Sequence, residues 1–182
     1  MLAVYRLICG ERISSLNLKT GKWFADVLVG ALLAASFLGL LVLQQVVQSG
    51  WLPRAAGPAP QELITLFRGI ANNPLLLALW LGPVASVGVA AFEELSRLFM
   101  LNRLWTVWSQ TSARRLVLAV SACLFGLIHI YQGPLSVAAI GLQGFLYGWY
   151  HMRFGRVWPM IIGHALYDSV QVVQLAIVFR GG

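Results

Sequence analysis

Apolar and polar positions in this chain fall into long blocks. There is no strand-like alternation and no sustained heptad. Five mostly apolar blocks run over 27–48, 75–107, 115–131, 134–152 and 157–179. A helix of about 20 apolar residues crosses the hydrocarbon core of a bilayer. Backbone polar groups there must be satisfied within the segment, so each block is predicted to be a helix. The expected fold class is all-α: a polytopic transmembrane helical bundle of about five spans. A polar stretch, 49–74, interrupts the pattern. Its "GPAP" is a loop by its prolines, and "QELITLFRGI" is a candidate short helix lying on the membrane surface. The later connections are short, so spans two to five are expected to form two antiparallel hairpins, with span one an addition. This divides the chain into 1–74 (an N-terminal interfacial segment, the first span and a loop) and 75–182, the core.

Composition supports the membrane reading. The 182 residues are 59% hydrophobic and only 10% charged, whereas a soluble domain carries roughly a quarter charged residues. The net charge of +7 does not point to nucleic acid, because the basic residues sit at span ends. Arg6, Arg12, Lys19 and Lys22 precede span one. Arg103, Arg114 and Arg115 lie between spans two and three, and Arg153 and Arg156 between spans four and five. The opposite connections hold only Arg54, Arg68 and Arg180. The positive-inside rule then predicts a cytoplasmic N-terminus. The first residues lack the h-region and cleavage site of a secretory signal. Cys9 and Cys123 form neither a disulfide framework nor a metal motif. Gly144 and Gly148 have the small-xxx-small spacing of close helix packing. His151, in an arginine-rich turn, reads as a solvated or interfacial residue.

Glu93, Glu94, His129, His164 and Asp168 are ionisable and fall within predicted spans. Each costs at least a few kcal/mol in lipid and is a functional hypothesis by default. Glu93 lies 18 residues before Thr111 and His129 lies 18 after it. At ~1.5 Å per residue, antiparallel helices bring both to one depth. His164 and Asp168 fall within a turn or two of that layer. Glu93 and Arg97, Phe125 and His129, and His164 and Asp168 are each four apart and share a helix face. Glu93 is thus the expected partner of Arg97, while Glu94 points about 100° away. Three polar edges would enclose a small intramembrane cavity.

The motifs "EELSR" (93–97), "FGLIH" (125–129) and "HALYD" (164–168), in this order, resemble the CAAX protease and bacteriocin-processing family. These are intramembrane proteases related to the Ras-converting enzyme. The resemblance spans about residues 80–175. Two departures stand out: two residues rather than three separate Glu94 from Arg97, and Asp168 replaces the commoner Asn. The resemblance implies a metal-independent glutamate protease with no cofactor. Glu93, with His129, would activate water for attack on a peptide carbonyl. His164 with Asp168 would face the oxyanion. Glu94 would position Glu93 or the water, with Arg97 and Phe125 supporting. The implied partners are a membrane-associated or lipidated peptide or protein, the lipid bilayer and a candidate membrane-protein partner.

The residues leave other readings open. Two histidines and a carboxylate also make a catalytic zinc set. The scaffold could serve a non-catalytic membrane regulator. Intramembrane Glu and His also build proton-coupled carriers, although no inverted repeat is visible. The short chain and the lack of eukaryotic targeting features suggest a bacterial cytoplasmic membrane.

Overall fold

The structure, a computed structural model, describes residues 22–50 and 61–180. The expected N-terminal lead-in with Arg6, Cys9, Arg12 and Lys19, the "GPAP" loop and Arg54 lie outside the described residues. Among the described residues six helices follow one another: α1 (Trp23–Gly50), α2 (Gln61–Asn72), α3 (Pro74–Val107), α4 (Thr111–Leu127), α5 (Pro134–Phe154) and α6 (Trp158–Arg180). No strand occurs among the described residues. The fold is an all-α membrane bundle.

Local chemistry sets the boundaries. Asn73 caps α3: its side-chain oxygen accepts from the backbone N–H of Leu75 and Leu76 at 3.0 and 3.1 Å, with Pro74 in the first turn. Gly155 ends α5 in the left-handed region at φ 65°, and its N–H donates to the His151 carbonyl. Within α3, Trp80–Ala91 is wound as a π-helix around Pro83, before ordinary α geometry resumes at Phe92–Val107. Proline has no N–H to give to the ladder, so regular α bonding cannot pass through it intact.

By length and apolar composition, α1, α3 and α6 are each able to cross a membrane. α4 is only 17 residues long, and α5 carries Gln143, His151 and several glycines. Large apolar side chains on the outer faces are exposed, among them Phe24, Leu32, Val87, Leu116 and Ile177. In an integral membrane protein these meet lipid.

The expected hairpin of spans two and three, α3 and α4, makes contact through Phe92–Val107, but the closer pair is α4 and α5. Their backbones come so close that a Cβ on Gly126 would overlap the Val137 carbonyl oxygen. The second expected hairpin is different. α6 packs chiefly on α1 and on the π-helical stretch of α3, not on α5. Span one is therefore an integral wall of the bundle rather than an addition. Phe37 of α1 stacks on Tyr167 of α6, centroids 3.7 Å apart. Asp26, buried at the start of α1, accepts from Arg156 Nε at 2.6 Å. Gln143 of α5 accepts from Ser36 and donates to the Leu33 carbonyl. The core beneath is Ala90, Leu98, Leu101, Trp105, Leu118, Tyr147, Val157, Met160 and Ile161. His151 belongs to this interior and is not solvated. It is 7% exposed, stacks against Trp105 and bonds Asn102.

Candidate active site

The two glutamates open the α-helical part of α3 just after the π-helical run. Glu94 points inward and is 1% exposed. One of its oxygens is 3.0 Å from His164 Nδ1, and the other pairs with Arg97. A carboxylate only accepts when ionised, so Nδ1 carries the proton in this bond. Arg97 also donates to the Gly144 carbonyl of α5. Its guanidinium faces the rings of Phe125 at 5.2 Å and Tyr147 at 5.8 Å. A buried ion pair needs such added bonds to offset its desolvation.

With Nδ1 tied to Glu94, Nε2 of His164 is the free face of the ring. It lies 3.9 Å from a Glu93 oxygen and 3.7 Å from Asp168 Oδ2. Both distances are too long for a direct hydrogen bond. Glu93 is the more accessible glutamate, its side chain 30% exposed. It borders a groove of about 320 Å³ between α3 and α4, lined also by Phe92, Ser96, Arg97, Met100, Ser121, Leu124, Phe125 and Ile128. A second recess of about 250 Å³ shares Met100, Ser121 and Leu124 with it and runs on to Trp108. The two make one largely apolar channel ending at Glu93.

The structure thus brings Glu93, Glu94, Arg97, His164 and Asp168 together, with Phe125 against Arg97. His129 forms no ion pair with these carboxylates. It follows the end of α4, its ring 5.3 Å from Phe125, and its Nδ1 lies 2.9 Å from the Phe125 carbonyl. A carbonyl only accepts, so this nitrogen is protonated and Nε2 is left free.

One pairing differs from expectation. Arg97 is bound to Glu94, across three residues, and not to Glu93 across four. The physical reason is that the Gly144 carbonyl and both aromatic rings draw the guanidinium to Glu94's side of the helix. Glu94 is therefore the buried anchor and Glu93 the accessible carboxylate. Tyr147 and the Gly144 carbonyl were not anticipated as members. Their one sequence signal is the pair Gly144 and Gly148, which brackets Tyr147 and admits close neighbours. Among the described residues, no group of three or more His, Cys, Asp or Glu side chains is arranged to hold a metal ion.

A buried carboxylate–imidazole pair thus lies beside a second, accessible carboxylate, all within apolar helices. Residues 74–170 match the family described as type II CAAX prenyl endopeptidase Rce1-like, and the chain belongs to that family. It is an integral membrane protein and a protease of the CAAX type. The match begins at the first residue of α3 and ends two residues past Asp168, leaving α1 and α2 outside it. No curated protein and no solved structure matches the chain.

Proposed function

We propose that this protein cleaves a peptide bond near the C-terminus of a prenylated protein, using water activated by Glu93 and requiring neither a covalent nucleophile nor a metal. The observation that carries the reading is the Glu94–His164 bond. It fixes the imidazole so that its free nitrogen faces Glu93 and Asp168.

In this mechanism Glu93 takes a proton from water as the oxygen attacks the scissile carbonyl carbon. His129 helps to orient that water with its free Nε2. The oxyanion is met by His164, protonated on Nε2 and polarised through Glu94. Asp168 orients the ring or, when protonated, donates to the oxyanion. Collapse of the intermediate breaks the C–N bond, and Glu93 returns its proton to the leaving amine. The apolar channel between α3 and α4 suits a prenyl chain lying beside the reacting peptide. We read that end of the bundle, and the start of α1, as cytoplasmic and the membrane as a bacterial one; the basic turns with Arg103, Arg114, Arg115, Arg153 and Arg156 support the orientation.

The test is cleavage of farnesylated and unprenylated CAAX peptides by the purified, detergent-solubilised protein. Wild type, Glu93→Ala and His129→Ala are compared with and without a strong chelator. Cleavage that disappears in both variants and resists chelation supports the mechanism. Cleavage abolished by chelation and restored by zinc replaces it with a metalloprotease. Failure of wild type to cleave any peptide, with a stable complex formed with a membrane protein, replaces it with a regulator.

A further inference from the structure

Tyr147 of α5 is 2% exposed, and its hydroxyl makes no hydrogen bond of good geometry, Gln143 one turn before it being the polar side chain within reach. Burying a hydroxyl without a well-placed partner is unfavourable. Phenylalanine would fill nearly the same volume without that cost, so packing alone does not account for a tyrosine here. The ring faces the Arg97 guanidinium. The other end of the side chain reaches α6. A Cβ on Gly163 would lie 2.8 Å from the Tyr147 hydroxyl and 2.9 Å from the Gly30 carbonyl of α1. Gly163 is the residue immediately before His164. The phenol also lies within electrostatic reach of Glu94 and Asp168. One side chain therefore touches the arginine that holds Glu94 and the turn that presents His164.

We propose that Tyr147 is a positioning residue of this site, its ring fixing Arg97 and its hydroxyl, wedged against Gly163, fixing the turn of α6 that carries His164. The inference rests on reading the Glu93–His164 cluster as the hydrolytic centre. Small displacements of a reacting group cost rate steeply, so an anchor one residue away acts on kcat rather than on substrate binding.

The experiment compares wild type, Tyr147→Phe, Tyr147→Leu and Glu93→Gln in detergent. It measures kcat and KM on a farnesylated peptide, thermal unfolding, and the rate at which diethyl pyrocarbonate modifies His164, read by mass spectrometry. Tyr147→Phe is expected to unfold at or above the wild-type temperature. Its kcat should fall on the order of ten- to a hundredfold with KM little changed, and His164 should be modified faster. Tyr147→Leu should lose more activity and also some stability, because the ring over Arg97 is gone. Wild-type kcat and an unchanged modification rate in Tyr147→Phe overturn the proposal, provided Glu93→Gln is inactive. If Glu93→Gln cleaves normally, the hydrolytic reading itself has failed. The His164 modification rate then decides the positioning role alone, an unchanged rate overturning it.

Discussion

Glu94 and His164, seventy positions apart in the chain, share a 3.0 Å hydrogen bond inside the bundle. The bond joins α3 to α6 and leaves one nitrogen of the imidazole to face Glu93 and Asp168. Glu94 has a second partner too, since its other oxygen pairs with Arg97.

Removing that carboxylate is expected to damage the fold as well as the chemistry. Glu94→Ala leaves Arg97 buried without its counter-charge, a change that typically costs about 3–5 kcal/mol. Glu93→Ala, at the accessible neighbour, should leave stability within about 0.5 kcal/mol while abolishing cleavage. Thermal unfolding in detergent compares the two. Equal melting temperatures for both variants would contradict the assignment of anchor and base.

Arg97→Lys should fail as a conservative exchange. A guanidinium can reach the Glu94 oxygen and the Gly144 carbonyl together while lying against two rings. An ammonium is a single compact charge and cannot reproduce that planar fork. Activity is expected to fall about ten- to a hundredfold, as for other small misplacements of a reacting group. Steady-state cleavage rates in matched detergent check this, and a lysine variant at wild-type rate would refute it.

The ion pair at the start of α1 calls for a different readout. Asp26 is 1% exposed, and Arg156 closes on it from the turn between α5 and α6. The carboxylate holds the Arg156 guanidinium above its ordinary pKa, chiefly through their hydrogen bonds, so the guanidinium stays charged at any working pH. Arg156→Ala should lower the melting temperature by stranding a buried carboxylate. Asp26→Asn together with Arg156→Ala should recover part of that loss. A double-mutant cycle measures the coupling, and strict additivity would show that the pair contributes nothing.

Gly126→Ala tests the α4–α5 contact. The new methyl would run into the Val137 carbonyl oxygen, an atom of the backbone that cannot rotate away. Overpacking of this kind costs about 1–3 kcal/mol. It should also shift Phe125, and with it one ring against Arg97. Lower stability together with lower kcat is the expected outcome, read by unfolding and by cleavage. A neutral Gly126→Ala would mean that the helices stand further apart.

Much of this was legible in the sequence. Apolar block length gave the five long helices. The three short motifs marked every charged residue that the structure gathers. Partner choice within the motif was not legible. Glu93 and Glu94 both lie within reach of Arg97 on a helix, and the decision comes from Gly144 and Tyr147, about fifty residues downstream. Loop length was also misleading. The turn between α5 and α6 is short, yet α6 finds its main surface on α1 because Phe37 and Gly30 meet it there and Asp26 holds the turn just before it through Arg156. Tyr147 carried no polar-in-lipid signal, being one aromatic among many.

The π-helical run Trp80–Ala91 has a consequence for how this sequence can change. It lies directly upstream of two adjacent glutamates that do different work, one buried against histidine and arginine, one facing the channel. A π-helix winds less per residue than an α-helix, so the run sets the phase at which the pair enters the bundle. Losing one residue between Gly82 and Val89 would set every later residue of α3 back by one place in the bundle. Such a deletion would move Glu94 to the place Glu93 holds beside the channel and put Leu95 in the anchor's place, so that length within this stretch is as constrained as the identity of the charged residues themselves.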